Sequence, residues 1–128
     1  MKKIILLLLV SCALQANAQT KLKVTGIYSP REDLYNQWSK KFLGKPLFIT
    51  IYDNSAVLNV GQIEENFKMT SANSYSKVLD RTPKELLTGY VKLSTTFSVI
   101  TSLTYRLVIK EIGGGYRETY VELTAKRF

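Results

Sequence analysis

From Val91 to Ala125 apolar and polar residues alternate almost without a break, and no other feature constrains the fold as strongly. Odd positions carry Val91, Leu93, Phe97, Val99, Leu103, Tyr105, Leu107 and Ile109, while even positions carry mostly Lys92, Ser94, Thr96, Ser98, Ser102, Thr104, Arg106 and Lys110. A period of two, apolar on one face and polar on the other, is the mark of a half-buried antiparallel sheet. Gly113-Gly114-Gly115 allows a reversal, and Thr119, Val121, Leu123 and Ala125 continue the inward phase on a returning strand. No Gly, Pro, Asn or Asp interrupts residues 91–109. At about 3.3 Å per residue such a run exceeds an ordinary strand, so it divides into two, with the reversal expected near Thr101-Ser102.

The chain opens differently. Met1-Lys2-Lys3 is a short basic segment, Ile4 to Val10 is an apolar run, and Ala16-Asn17-Ala18 supplies the small residues a signal peptidase needs. Residues 1–18 therefore read as a secretory signal peptide, with cleavage before Gln19. The competing reading is a lipobox, Leu9-Val10-Ser11-Cys12, which would anchor the chain to a membrane through Cys12. Either way the protein is exported, to the periplasm or the extracellular space. The apolar run falls well short of the ~20 residues a membrane-spanning helix requires.

Residues 19–128 are enough for one domain. Without Lys2 and Lys3 they carry 16 basic against 10 acidic residues, a net charge of +6. The basic residues are dispersed, which argues against nucleic acid as a partner. This part of the chain has no histidine and no cysteine. That composition excludes disulfides, Ser-His-Asp and Cys-His catalysis, and imidazole or thiolate metal sites. No cofactor is implied.

Before the long alternating segment, Lys21 to Tyr28 reads as a first strand with Leu22, Val24 and Gly26 on one face. Ser29-Pro30-Arg31-Glu32 reads as a helix start, with Ser29 as N-cap and Pro30 at the first helical position. Leu34, Trp38 and Phe42 form its apolar stripe, and Gly44 and Pro46 end it. Pro46 to Tyr52 and Ala56 to Val60 form a hairpin, and Glu64 to Thr70 and Tyr75 to Leu79 a second one. Thr82-Pro83-Lys84-Glu85 has capping-box spacing, so a short helical turn is expected over Pro83 to Thr88, closed by Gly89.

The expected fold is mainly β with one N-terminal helix, either an antiparallel meander barrel or a strongly curved sheet with the helix packed against it. The barrel solution resembles the lipocalin and calycin family through Gly26-Ile27-Tyr28, where that family has Gly-x-Trp, followed by a helix and a meander. The resemblance implies a small apolar ligand and a late arginine, Arg117 or Arg127, covering Tyr28. The curved-sheet solution resembles the cystatin type, without its inhibitory loop motifs.

The residues point to a non-catalytic binding module of the cell envelope, taking a small-molecule or glycan ligand. Tyr116 and Tyr120 lie on the opposite parity to Val121 and Leu123, with Arg106 and Arg117 beside them; Trp38 is a further stacking candidate. A protein-protein interaction or inhibitor module of the envelope is the alternative. A carboxylate-based enzyme acting on polysaccharide is the second alternative, with Glu118 and Glu122 as its pair.

Overall fold

The computed structural model describes residues 19–112 and 117–127, and of Arg117 the backbone only. The signal segment with Cys12, the Gly113-Gly114-Gly115 reversal and Tyr116 lie outside the described residues. The elements are β1 (Gln19–Tyr28), α1 (Glu32–Phe42), β2 (Pro46–Ile51), β3 (Ser55–Val60), β4 (Ile63–Ser71), β5 (Ser74–Arg81), β6 (Glu85–Thr96), β7 (Val99–Glu111) and β8 (Arg117–Lys126). Every strand is antiparallel to its neighbours in sequence, and β8 returns to pair with β1, closing an eight-stranded barrel. Of the two expected solutions, the meander barrel is the one adopted.

Closure needs curvature, and single-residue bulges supply it. Thr25 in β1, Thr70 in β4, Leu79 in β5 and Thr101 in β7 are each skipped by the partner's register. A bulge bends and twists its strand, which lets strands as long as β6 and β7 wrap round a closed wall. The bulge at Thr25 also changes which residues face inward on β1. Leu22 and Val24 are buried before it, and after it Ile27, not Gly26, packs on the core.

The long segment does divide in two, but at Phe97-Ser98 and not at Thr101-Ser102. Thr96 pairs with Val99 across a two-residue loop whose members both have positive φ, 52° and 63°. Such a loop matches the twist of its flanking strands, and the left-handed pair is the condition for it. Phe97 and Val99, both expected inward, are exposed, and Ile100 is buried in their place. The Thr101 bulge then restores the odd phase, so Leu103 and Tyr105 are buried as expected and Leu107 packs against the core.

Two local expectations are also corrected. Thr82 Oγ1 accepts from the backbone N–H groups of Glu85 (2.9 Å) and Lys84 (3.3 Å), which are capping-box bonds, yet they close the β5–β6 turn and no helical turn follows. Pairing of Glu85 to Gly89 with β7 takes the backbone bonds that a helix would have used. At α1 the Ser29 hydroxyl accepts from Arg31 N–H (3.1 Å) and donates to the Tyr120 carbonyl (2.7 Å), and the helix starts two residues later than Pro30. Ser29 thus ties the helix approach to β8. The acidic first turn (Glu32, Asp33) and basic last turn (Lys40, Lys41) suit the helix dipole.

Of the stripe Leu34, Trp38, Phe42, the last two pack on the barrel core and Leu34 is half-buried. Trp38 stacks on Tyr105 (5.8 Å, 10°) and meets Phe42 edge-on (5.2 Å); Tyr105 meets Phe67 edge-on (5.8 Å). Phe67 and Tyr105 are buried inside the barrel, with the half-buried Trp38 laid against Tyr105 from the helix, and Gly89 lets the wall approach the first two closely. A Cβ there would stand 2.9 Å from Phe67 Cε1 and 3.2 Å from the Tyr105 hydroxyl. Gly89→Ala is therefore expected to cost about 1–3 kcal/mol through overpacking. Gly26→Ala, with nothing within 4 Å, serves as its near-neutral control. Denaturant unfolding of both variants checks this.

Candidate functional site

On the outer wall, register brings four residues from four strands into one row: Tyr90 on β6, Arg106 on β7, Glu122 on β8 and Tyr28 on β1. With strands about 4.8 Å apart, the two tyrosines bracket the ion pair over roughly 14 Å. Arg106 Nη2 donates to Glu122 Oε2 at 2.8 Å, and Nε to the same oxygen at 3.3 Å. The guanidinium carbon sits 4.7 Å from the centre of the Tyr120 ring, and Tyr120 meets Tyr28 at 5.9 Å, tilted by 40°. Arg106 is thus held from two sides, by a carboxylate and by an aromatic face. Partial loss of water pushes the Tyr120 hydroxyl up from the ordinary phenol range, and its hydrogen bond with Tyr28 adds to this, so it remains protonated at neutral pH.

Beside this row the outer face is concave. A groove of about 640 Å³ runs over β6–β8, with Tyr90, Arg106, Val108 and Lys92 among its lining residues and Glu118 at one end. The face combines exposed aromatic surface with fixed donors and acceptors.

Of the residues expected to form a site, Arg106 and Tyr120 are brought together here. Tyr116 and the Arg117 side chain fall outside the described residues. Trp38 is placed elsewhere, stacked on Tyr105 in the core, with one edge in a groove of about 470 Å³ between α1 and Ile63. Tyr90 and Tyr28 were not among the expected residues. Tyr90 shares the even parity of Lys92 and Arg106, which is the signal that marks it. Of the two late arginines expected to cover Tyr28, Arg127 does not: it donates to the Ile100 carbonyl (2.6 Å) near the far end of β7, and the Tyr28 side chain is exposed, while the Arg117 side chain lies outside the described residues. Glu118 and Glu122 share the face, but they stand four positions apart along β8, so their Cα atoms lie about 13 Å apart.

The wall has one incomplete seam. β4 and β5 pair only from Lys68 to Ser71, and toward the helix end they diverge. Lys77 Nζ bridges the seam to Glu65 Oε2 at 2.9 Å. Behind it lies Tyr105, whose hydroxyl is driven well above the ordinary phenol range by burial, with the Glu65 charge adding to the effect.

Comparison of the chain with protein-family models, with curated proteins and with solved structures gives no significant match. Among the described residues no group of His, Cys, Asp and Glu side chains is placed to hold a metal, and no helix is long and apolar enough to cross a membrane.

The state of Tyr105 has a measurable consequence. Its folded pKa is raised, so above pH ~10 the unfolded chain releases a proton that the folded chain keeps, and stability falls as pH rises from there. In an alkaline absorbance titration Tyr105 is expected to ionise last, together with unfolding. Tyr105→Phe should lose that final step.

Proposed function

We propose that this chain is an exported binding module of the cell envelope, with a lipocalin-like barrel, that takes a carbohydrate ligand on the outer face of β6–β8. The row Tyr90–Arg106–Glu122–Tyr28, with Tyr120 under the guanidinium, is the observation that carries this reading. A sugar presents an apolar ring face and a rim of hydroxyls. Exposed tyrosines match the first, and a pre-held arginine and carboxylate match the second. The aromatic packing in the middle of the barrel supports a surface site over the enclosed cavity typical of lipocalin-type ligands. Glu122 is already engaged by Arg106, which supports binding over carboxylate catalysis by the Glu118–Glu122 pair.

The seam between β4 and β5 favours a second reading, in which a small apolar ligand enters beside Glu65–Lys77 and displaces ring packing around Tyr105. The two readings separate by experiment. Titration of isotope-labelled protein with a panel of neutral and acidic oligosaccharides is expected to shift amides of β6–β8. Tyr90→Ala and Tyr120→Ala should each weaken binding by about threefold to tenfold, the range of one aromatic contact. Shifts confined to β4, β5 and α1, with apolar ligands only, would establish the second reading instead.

A further inference from the structure

The barrel end opposite the helix is built from the β2–β3, β4–β5 and β6–β7 turns, and the β6–β7 hairpin stands beyond its neighbours. β5 pairs with β6 only as far as Lys92, with one further bond from Leu93 N–H to the Asn73 carbonyl. β8 ends against β7 at Ser102, with Arg127 bonded to Thr101 and Ile100. Thr95 therefore pairs with Ile100 and Thr96 with Val99 without a third strand beside them, and the tip projects by about 7 Å at strand rise.

Phe97 stands at the apex, 94% exposed, in a left-handed conformation. A bulky residue is disfavoured there by its own backbone, and its ring gains nothing from the fold. Val99 beside it is exposed, as is Tyr52 on the β2–β3 turn. Basic side chains surround the base of the hairpin. Lys92 and Lys126 flank it, Lys23 is paired directly opposite Lys126, Lys68 lies opposite Ser55 at the β2–β3 turn, and Arg127 closes the end of β8. Among the described residues of this end Asp53 is the one acidic residue; Glu32, Asp33, Glu64, Glu85, Glu111 and Glu118 all lie toward the helix end. Like charges directly opposite on neighbouring strands destabilise a sheet, and Lys23 against Lys126 is such a pair.

We infer that this end docks on an anionic lipid bilayer, with Phe97 and Val99 entering the headgroup boundary and the lysines meeting lipid phosphates. Apolar residues at a projecting tip with a basic collar match both parts of an interface that is anionic outside and apolar just beneath. A soluble polyanion would use the lysines and leave Phe97 without a role. The hairpin tip lies apart from the Tyr90–Arg106–Glu122–Tyr28 row, with Lys92 the one named residue that also lines the groove there, and the inference does not rest on the sugar-binding reading.

Sedimentation of residues 19–128 with lipid vesicles tests it. Binding is expected to vesicles containing about one quarter phosphatidylglycerol, not to phosphatidylcholine alone, and to drop at about 0.5 M salt. Phe97→Asn, a residue suited to the left-handed turn, should keep the melting temperature and weaken binding by about tenfold. Lys23→Gln with Lys126→Gln, neither of which lines the groove of the outer face, should weaken it by at least about tenfold. Absence of sedimentation with anionic vesicles overturns the inference. So does Phe97→Asn binding as well as the unaltered chain, together with equal binding to dextran sulfate, which would mark a polyanion site.

Discussion

The close approach of the barrel wall to the rings of Phe67 and Tyr105 at Gly89 is the contact on which the rest of the structure depends. Trp38 and Phe42 reach those rings from α1, so the helix is fixed by the same packing that fills the barrel. Nothing covalent assists, since the chain from Gln19 onward has no cysteine. Removing a buried Phe or Trp ring costs about 3–5 kcal/mol, against a typical domain stability of about 5–15 kcal/mol. One ring thus stands for a large share of what holds the barrel closed. A barrel filled in this way has its accessible chemistry on its wall and at its ends.

Much of this was legible because a half-buried strand writes its inward face in alternate residues. The inward Leu22, Val24, Leu103, Tyr105, Val121 and Leu123 follow from parity alone. What parity cannot show is where the phase resets. Three of the bulged residues are threonines, indistinguishable from any other strand threonine, and the β6–β7 loop uses Phe-Ser where Asn-Gly would have announced it. Thr82 failed for a different reason. A threonine hydroxyl accepting from N–H groups two and three residues on serves a turn as well as a helix start, and only the pairing of Glu85 with Glu111 decides between them.

The outer row was legible only in part. Arg106 and Tyr120 share a face by parity within one β-hairpin, so local pattern was enough to associate them. Tyr28 joins them only because β1 pairs with β8, nearly the whole chain away, in a register displaced by the Thr25 bulge. Long-range register of that kind leaves no trace in a local sequence window, and it alone brings Tyr28 to the Tyr120 ring.

The two exposed regions differ in whether the fold itself satisfies their charge. On the outer face Arg106 is held by Glu122 and Tyr120, and the groove is lined by Lys92, Arg106 and Lys110 with Glu118 at one end. Because Arg106 is already engaged by Glu122 and Tyr120, a partner there is chosen largely by shape, ring stacking and hydrogen bonds. At the hairpin end lysine faces lysine across a strand pair, and Phe97 carries both a backbone cost and a solvent cost that no contact within the barrel offsets. Burial of the Phe97 ring would relieve its solvent cost and lipid phosphates would relieve the lysine repulsion, and a surface that is anionic outside and apolar beneath does both at once. Around Phe97 the basic side chains of Lys92, Lys126, Lys23, Lys68 and Arg127 stand against Asp53 alone among the described residues of that end, and this local excess is what an anionic surface would meet.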